Sequence, residues 1–211
     1  MELVLTATLS APVLGLTLID PADPRLLVEL DGQQPQIVDP NTGEHTPAEF
    51  SRRSRGTMRS LQIDDLTIQA ENRVITALRG SEPVSELTGA STQFTSLDVF
   101  PAAGGALVAA GTAGGSVRLW NPRTGHLVSQ SRSTRVSALA TFPGPDGRTL
   151  IATGGPTGRL RIWDPQLPPP PRTGLVSTRG FSDRVASEDL LDRGDLVQAL
   201  RQMLDPKFIV S

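Results

Sequence analysis

The chain has 211 residues, a length typical of one domain or of a modest domain with an additional segment. Its 20 basic and 22 acidic residues give a net charge of −2, which removes any general electrostatic basis for binding nucleic acid. The absence of cysteine excludes disulfides, thiolate metal sites and cysteine nucleophiles. Two histidines, His45 and His126, are too few for a histidine-rich metal site.

The N-terminal twenty residues are apolar enough to be compared with a secretory signal. Glu2 stands where a signal would carry basic residues, and polar residues and Pro12 interrupt the apolar stretch. The alternation from Leu3 to Leu9 predicts a strand instead. No apolar run approaches the ~18 residues of a membrane span, so we expect a cytoplasmic protein that does not enter a membrane.

One short phrase recurs along the chain, as QIVDPNTGEH, VRLWNPRTGHL and LRIWDPQ. Aligning Val38, Trp120 and Trp163 gives spacings of 82 and 43 residues, so the period is about 41 residues and the longer spacing is two periods. This arithmetic predicts a fourth, eroded copy near residue 79, where the sequence is VITALRGSEPVSELTG.

Short apolar runs separated by turn residues precede each phrase. They are FTSLDVF, ALVAAGT and SVRLW ahead of Trp120, RVSALATF, TLIATGG and RLRIW ahead of Trp163, and VLGLTLI, LLVEL and QIV ahead of Val38. A further run, such as HLVSQS, follows the phrase. Four short strands in about 42 residues, divided by Gly, Pro and Asp, predict one antiparallel four-stranded sheet per repeat.

These repeats resemble the WD-repeat β-propeller family, whose blades end in Trp-Asp or a similar dipeptide followed by Pro-x-Thr-Gly. The matching phrases are Trp163-Asp164-Pro165, Trp120-Asn121-Pro122-Arg123-Thr124-Gly125 and Val38-Asp39-Pro40-Asn41-Thr42-Gly43. The resemblance covers about residues 1–167 and implies an all-β propeller of about four blades. It also implies structural roles in the blades for Trp120, Trp163, Val38, Asp39 and Asp164.

The sequence departs from that family at its polar tetrad. No Gly-His pair precedes the first strand of a blade, and Gly114 and Thr157 replace the tight-turn Asp. We therefore expect Trp120 and Trp163 to pack between blades. A four-bladed ring, an open arc and self-association of two arcs to complete a propeller all remain compatible with the sequence.

The chain after the repeats divides into a Pro-rich linker, 168–180, and a helical C-terminal segment, 181–211. Four consecutive prolines stiffen the linker. Asp192 is a candidate helix cap and Pro206 a helix stop. One apolar helix face would carry Leu196, Val197, Leu200, Met203 and Leu204.

This C-terminal segment resembles the stretch ahead of the ATP-binding domain in bacterial KAP-type P-loop NTPases. The similar elements are Phe181-Ser182-Asp183-Arg184 and Asp189-Leu190-Leu191-Asp192-Arg193. The phosphate-binding Gly-x-x-x-x-Gly-Lys-Ser/Thr loop of that family is missing from the sequence. The resemblance therefore implies a regulatory N-terminal fragment of an NTPase system whose ATPase domain is absent.

Residues suited to chemistry are sparse. Both histidines follow Thr-Gly turns of the repeat, which favours a structural origin over a catalytic base. Asp20, Asp64 and Asp98 are candidates for a metal in a propeller channel, although solvated turn or edge residues are the preferred interpretation. We predict no catalytic residue, no metal and no cofactor.

The preferred interpretation is a non-catalytic scaffold or sensor that binds a protein partner through loops held by a rigid fold. A candidate partner-contact loop contains Arg52, Arg53 and Arg55; nucleic acid is a less favoured ligand of this loop, because no aromatic residues accompany the arginines. The alternatives are the NTPase-associated fragment described above and a propeller hydrolase with a channel metal.

Overall fold

The computed structural model describes residues 1–48, 60–88 and 90–167, all of which belong to one compact unit, Met1–Thr173. These residues form strands and no helix. The strands are β1 (Glu2–Thr8), β2 (Val13–Leu18), β3 (Leu26–Leu30), β4 (Gln36–Val38), β5 (His45–Pro47), β6 (Ser60–Ile63), β7 (Leu66–Glu71), β8 (Val74–Arg79), β9 (Glu82–Leu87), β10 (Phe94–Phe100), β11 (Leu107–Thr112), β12 (Ser116–Trp120), β13 (Leu127–Arg132), β14 (Ala138–Pro143), β15 (Thr149–Gly154) and β16 (Arg159–Asp164). The predicted linker and C-terminal helix lie outside the described residues.

The strands form four antiparallel four-stranded sheets. Sheet I is β2-β3-β4-β5, sheet II is β6-β7-β8-β9, sheet III is β10-β11-β12-β13, and sheet IV is β14-β15-β16-β1. The all-β, four-bladed prediction is confirmed. The eroded fourth copy is sheet II, whose third strand β8 ends at Arg79, where the repeat period placed it.

Sheet IV joins the two ends of the described chain. Strand β1 pairs antiparallel with β16, with Thr6 opposite Arg161 and Thr8 opposite Arg159. The alternating N-terminal stretch is therefore a strand, as its sequence predicts. Because β1 precedes sheet I in the chain, this pairing places sheet I next to sheet IV.

Three apolar cores hold neighbouring sheets together, and each is built from the alternate side chains that point to one face of a strand. One joins sheets I and IV and includes Val28 and Ile162; a second joins sheets III and IV and includes Leu119 and Ile151. A third joins sheets II and III around Ile68. Among the described residues no hydrophobic cluster joins sheet I to sheet II, so the packing order is I–IV–III–II.

Sheet II has two unlike faces. Alternate residues such as Leu66 and Ile68 are buried against sheet III. The opposite face carries a polar row across the sheet, with Ser60 opposite Gln69, Gln69 opposite Thr76 and Thr76 opposite Glu86. The exposed Val74 and half-buried Leu78 flank this row on β8, so the outer face is mainly polar, as a terminal repeat needs when no further repeat covers it.

A glycine permits a close crossing between sheets I and IV. Gly158, in the turn before β16, has a φ of +69°, and its carbonyl oxygen accepts a hydrogen bond from the Leu9 amide at 2.7 Å. A Cβ at this position would lie 2.8 Å and 2.9 Å from the carbonyl oxygens of Leu9 and Ala11. Only glycine fits this combination of left-handed backbone and contact.

Candidate protein-interaction face

The recurring phrase builds the turn that follows the third strand of a sheet. The Oδ1 atoms of Asp39, Asn121 and Asp164 accept hydrogen bonds from the backbone amide two residues further on, at 2.8, 2.9 and 2.6 Å. This local bond is why Asp or Asn follows Val38, Trp120 and Trp163 in the repeat. The dipeptide therefore shapes a turn.

An arginine lies beside each of the two aspartates at this repeat position. Arg25 forms an ion pair with Asp39, and Arg148 lies 2.5 Å from Asp164. Sheet III has the neutral Asn121 instead, and its neighbouring arginine, Arg123, reaches across to sheet II.

Ion pairs between sheets II and III bridge the same end of the molecule. Arg123 Nη2 lies 3.0 Å from carboxylate oxygens of both Asp64 and Asp65, and Arg79 Nε donates to Asp65 at 2.7 Å. The hydrogen bond from Arg79 lowers the pKa of Asp65. Burial would raise the pKa of Asp39, but hydrogen bonds from the Asn41 amide and from Arg25 outweigh it and lower that pKa.

These pairs belong to the end of the sheets where the turns between strands one and two and between strands three and four lie; we call it the acidic end. Within the described ranges its acidic residues are Glu2, Asp20, Asp23, Asp39, Glu44, Asp64, Asp65, Glu82, Asp146 and Asp164. The arginines described at this end are Arg25, Arg79, Arg123 and Arg148, and each has a carboxylate partner. The excess charge at this end is negative.

The opposite end carries the turns between strands two and three and the connections between sheets; we call it the arginine end. Its exposed arginines are Arg73, Arg132, Arg135 and Arg159. Within the described part of the chain none of these four guanidinium groups has a carboxylate within ion-pair distance. The described acidic residues near this end are Glu29, Asp31, Glu71 and Glu86. The two ends of the sheets therefore differ in the pairing of their arginines.

Hydrogen bonds fix the loops of the arginine end. Arg161, two residues into β16, donates to Ser133 Oγ at 3.0 Å and to Thr134 Oγ1. The Gly114 amide donates to Thr92 Oγ1 at 2.8 Å, which ties the β11–β12 turn to the connection ahead of β10. Loops held in this way present a surface of fixed shape.

A shallow cleft opens at the same end, between sheets II and III. Its lining residues are Asn72, Arg73, Thr92, Gln93 and Ala113. Asn72 adopts a left-handed φ of 54°, and its carbonyl oxygen accepts the Phe94 amide at 2.9 Å. Four of the five lining residues have polar side chains, one of them the cation Arg73, but most of the exposed surface of the cleft is apolar.

The two repeat tryptophans pack between sheets. Trp120 is buried in the core of sheets II and III, edge-on to Phe94 at 5.5 Å and 72°. Trp163 is buried in the core of sheets III and IV. Trp163 Nε1 also donates to Thr153 Oγ1 at 2.9 Å, a polar contact that we did not predict from the sequence. Of the remaining repeat positions, Val38 and Asp164 are buried and Asp39 is half-buried.

The three aspartates considered for a channel metal have separate partners. Asp20 accepts its own turn's Ala22 amide at 2.8 Å, and Asp64 pairs with Arg123. Asp98, in β10, accepts the Thr141 amide at 2.7 Å. Among the described residues no group of three or more His, Cys, Asp or Glu could hold a metal.

Asp98 joins sheets III and IV. Its Oδ2 accepts the Thr141 amide at 2.7 Å and lies 2.9 Å from Thr141 Oγ1, and its Oδ1 accepts the Val99 amide at 2.8 Å. Burial raises the pKa of Asp98, and these hydrogen bonds only partly oppose that effect. The role visible in the structure is to hold two sheets together.

The partner-contact arginines predicted from the sequence, Arg52, Arg53 and Arg55, lie outside the described residues, so that assignment stays a prediction. Sequence analysis did not single out the arginine end. Its signals were the arginines of SRSTR and TGRLR, which flank turns, but only the fold brings them near one another.

No helix within the described ranges is long and apolar enough to cross a membrane.

Four-stranded antiparallel sheets packed face to face, with the first strand completing the last sheet, define the blades of a β-propeller. The family model "WD domain, G-beta repeat" matches residues 81–121 and 123–164. Each match contains the outer strand of one sheet and the first three strands of the next. These matches support a WD-repeat chain. No curated protein matches the chain.

Several solved structures are similar. The computationally designed Ika8 protein is 17% identical with a TM-score of 0.41, over 72% of this chain and 45% of that one. The designed Ika4 protein is 18% identical with a TM-score of 0.42, over 77% and 97%. The WD40 β-propeller domain of Doa1 is 12% identical with a TM-score of 0.42, over 72% and 50%. The chain thus spans about half the length of Ika8 and of the Doa1 chain.

Proposed function

We propose that this chain is a non-catalytic, cytoplasmic scaffold or sensor that binds a protein partner through the loops of its arginine end. WD repeats typically mediate protein–protein interactions, and two repeats of this chain match that family. The observation that supports this end as the binding surface is the contrast in pairing. Among the described residues, every arginine at the acidic end has a carboxylate partner, whereas Arg73, Arg132, Arg135 and Arg159 have none.

The scaffold suits binding better than catalysis. The loops of the arginine end are tied to one another by hydrogen bonds, so a partner would pay little entropy to order them. The carboxylates considered for a metal-dependent hydrolase lie on three different sheets and each has a protein partner. A nucleophile beside a base and an orienting acid is not seen among the described residues.

Affinity capture followed by native mass measurement tests the proposal. The full chain, returned to cells of its source, should retain a protein partner in a fixed stoichiometry. The variant R52Q/R53Q/R55Q should keep its melting temperature and lose partner, because it changes only the predicted contact loop. The variant R79Q/R123Q removes two arginines from the acidic end and should keep the partner. Background proteins alone, under several salt conditions, would contradict a binding role.

The sequence also suggests two other kinds of partner, a separate ATPase and a second copy of the chain. The NTPase-associated role depends on residues 181–193, which lie outside the described residues, and it is tested by asking whether the chain binds a separately encoded KAP-type ATPase. Self-association has a structural observation in its favour, since three cores join four sheets and sheets I and II share none among the described residues. A second copy would meet sheet II on its polar face.

A further inference from the structure

We propose that three arginines at the junction of sheets III and IV form a binding site for an acidic segment, rich in Asp and Glu, of a protein partner. The site consists of Arg135, Arg159 and Arg161, and we call it the arginine cluster. The inference rests on the proposed function, because it names the chemistry that the bound partner would offer.

The fold places these three residues near the connection between β13 and β14. Arg159 and Arg161 are two positions apart on β16, so their side chains leave the same face of sheet IV. Arg161 donates to the hydroxyls of Ser133 and Thr134, the two residues that separate Arg132 from Arg135. A Cβ at Gly155, in the turn before β16, would lie 2.0 Å from the Arg135 carbonyl oxygen, so this loop lies directly on that turn.

The charges of the arginine cluster are not compensated within the described part of the chain. Arg135 and Arg159 are exposed and take part in no ion pair there, and Arg161 is bonded to neutral hydroxyls. Like charges held near one another repel. Carboxylates of a partner would relieve this repulsion and bind the planar guanidinium groups through paired, charge-assisted hydrogen bonds.

An acidic peptide fits this surface better than nucleic acid. The aromatic side chains of the described residues are buried, so none is offered for stacking on a base: Phe94, Phe100, Phe142, Trp120 and Trp163. The acidic end would also repel an extended polyanion that passes along the sheets. A short acidic segment can dock at one end and avoid that repulsion.

Hydrogen bonds to the Ser133 and Thr134 hydroxyls preorganise the arginine cluster before a ligand binds. Arg161 is already held by Ser133 and Thr134, and it in turn fixes the loop that carries Arg132 and Arg135. Less side-chain entropy is therefore lost when a carboxylate arrives. At the acidic end the same pairing of arginine with carboxylate occurs within the chain, because Arg123 lies 3.0 Å from two carboxylates.

Fluorescence anisotropy with a labelled peptide of about 12 residues tests the site on the full chain. The probe alternates Glu and Ser, its matched control alternates Gln and Ser, and both are measured in low salt. The Glu peptide should bind at least about 10-fold more tightly than the Gln peptide, and added salt should weaken the binding. The variant R135Q/R159Q should lose about 10-fold in affinity for the Glu peptide, whereas R79Q/R123Q, with the same change in net charge, should stay within about twofold.

Three results would overturn the arginine cluster: equal affinity for the two peptides, equal losses in the two double variants, or tighter binding of a single-stranded DNA of similar length that R135Q/R159Q abolishes. The partner capture separates the two proposals. A captured partner that R135Q/R159Q retains would leave the proposed function standing and refute the cluster. Glu-selective peptide binding in a chain that captures no protein would support the cluster and contradict the scaffold role.

Discussion

At the scale of the residue, the two repeat tryptophans occupy the same strand position but meet different neighbours. The strand registers Ile151↔Trp163 and Val108↔Trp120 make Thr153 in sheet IV equivalent to Ala110 in sheet III. Thr153 accepts the Trp163 indole N–H, whereas Ala110 has no hydroxyl and Trp120 packs against Phe94 instead. Identical residues at equivalent repeat positions therefore do not make the same interactions.

Replacing Thr153 by Val should destabilise the protein by about 1–3 kcal/mol, because the volume is kept and a buried indole N–H loses its acceptor. Urea unfolding of wild type, T153V, W163F and the double variant measures the effect. The two single losses should fail to add, with a coupling of about 0.5 kcal/mol or more. Additive losses would show that the hydrogen bond contributes nothing.

Asp98 illustrates how one buried carboxyl can limit stability. Its pKa in the folded protein is raised above the ordinary 3.8, so the folded state holds this proton to a higher pH than the unfolded state does. The contribution to stability is thus greatest below the ordinary pKa and decreases as pH rises through the raised value. A protonated carboxyl also suits the geometry, because the Thr141 hydroxyl can then donate to the Val99 carbonyl oxygen at 2.7 Å while accepting from Asp98.

The advantage of wild type over D98N in free energy of unfolding should accordingly shrink as pH rises through the range just above 3.8. The matched control is D146N. The hydrogen bond from Arg148 lowers the pKa of Asp146, so the advantage of wild type over D146N should grow as pH rises toward 3.8. Denaturant unfolding at a series of pH values measures both trends. Trends of the same sign in the two variants would refute the assignment to Asp98.

At the scale of the element, turns decide where the sheets meet. Gly32 and Gly158 occupy the same turn, between the second and third strands, in sheets I and IV, and both have a positive φ. Gly32 has open space where a Cβ would stand, whereas Gly158 has two carbonyl oxygens there. Comparing alanine substitutions at these two positions therefore separates the cost of backbone strain from the cost of steric contact.

Gly32→Ala should cost about 1–2 kcal/mol from the left-handed backbone alone. Gly158→Ala should cost about 1–3 kcal/mol more, because its Cβ must also displace the connection that leads from β1 to β2. Thermal or urea unfolding of the two variants measures the difference. Equal losses would mean that the crossing at Leu9 and Ala11 relaxes without cost.

The strands were predictable because turn residues and apolar alternation are local signals. FTSLDVF and RLRIW, for example, became β10 and β16, and the period alone placed the eroded sheet II. The Trp163–Thr153 bond and the arginine cluster were not predictable, because their members come from different strands and loops. Arg135 and Arg159 lie 24 residues apart, and only the fold brings the turn before β16, through Gly155, against the Arg135 carbonyl oxygen.

At the scale of the whole molecule, the sequence repeat and the structural sheet are offset by one strand. The family matches begin in the outer strand of one sheet and end in the third strand of the next. This offset leaves sheet IV without an outer strand of its own, and β1 supplies it. The β1 pairing therefore also positions sheet I, and sheet II stays attached through sheet III alone among the described residues.

Amide hydrogen exchange should reveal this unequal support. Sheets III and IV are packed on both faces, so their central strands should open only with global unfolding, whereas β7 and β8 of sheet II, packed on one face, should exchange faster. Repeating the measurement over a wide range of protein concentration tests self-association. An isolated chain keeps the fast exchange of sheet II at all concentrations, whereas a second copy seated on its polar face would slow that exchange as concentration rises. Equal protection of all four sheets in dilute solution would mean that sheet II has support beyond the three cores, and would contradict the packing order I–IV–III–II.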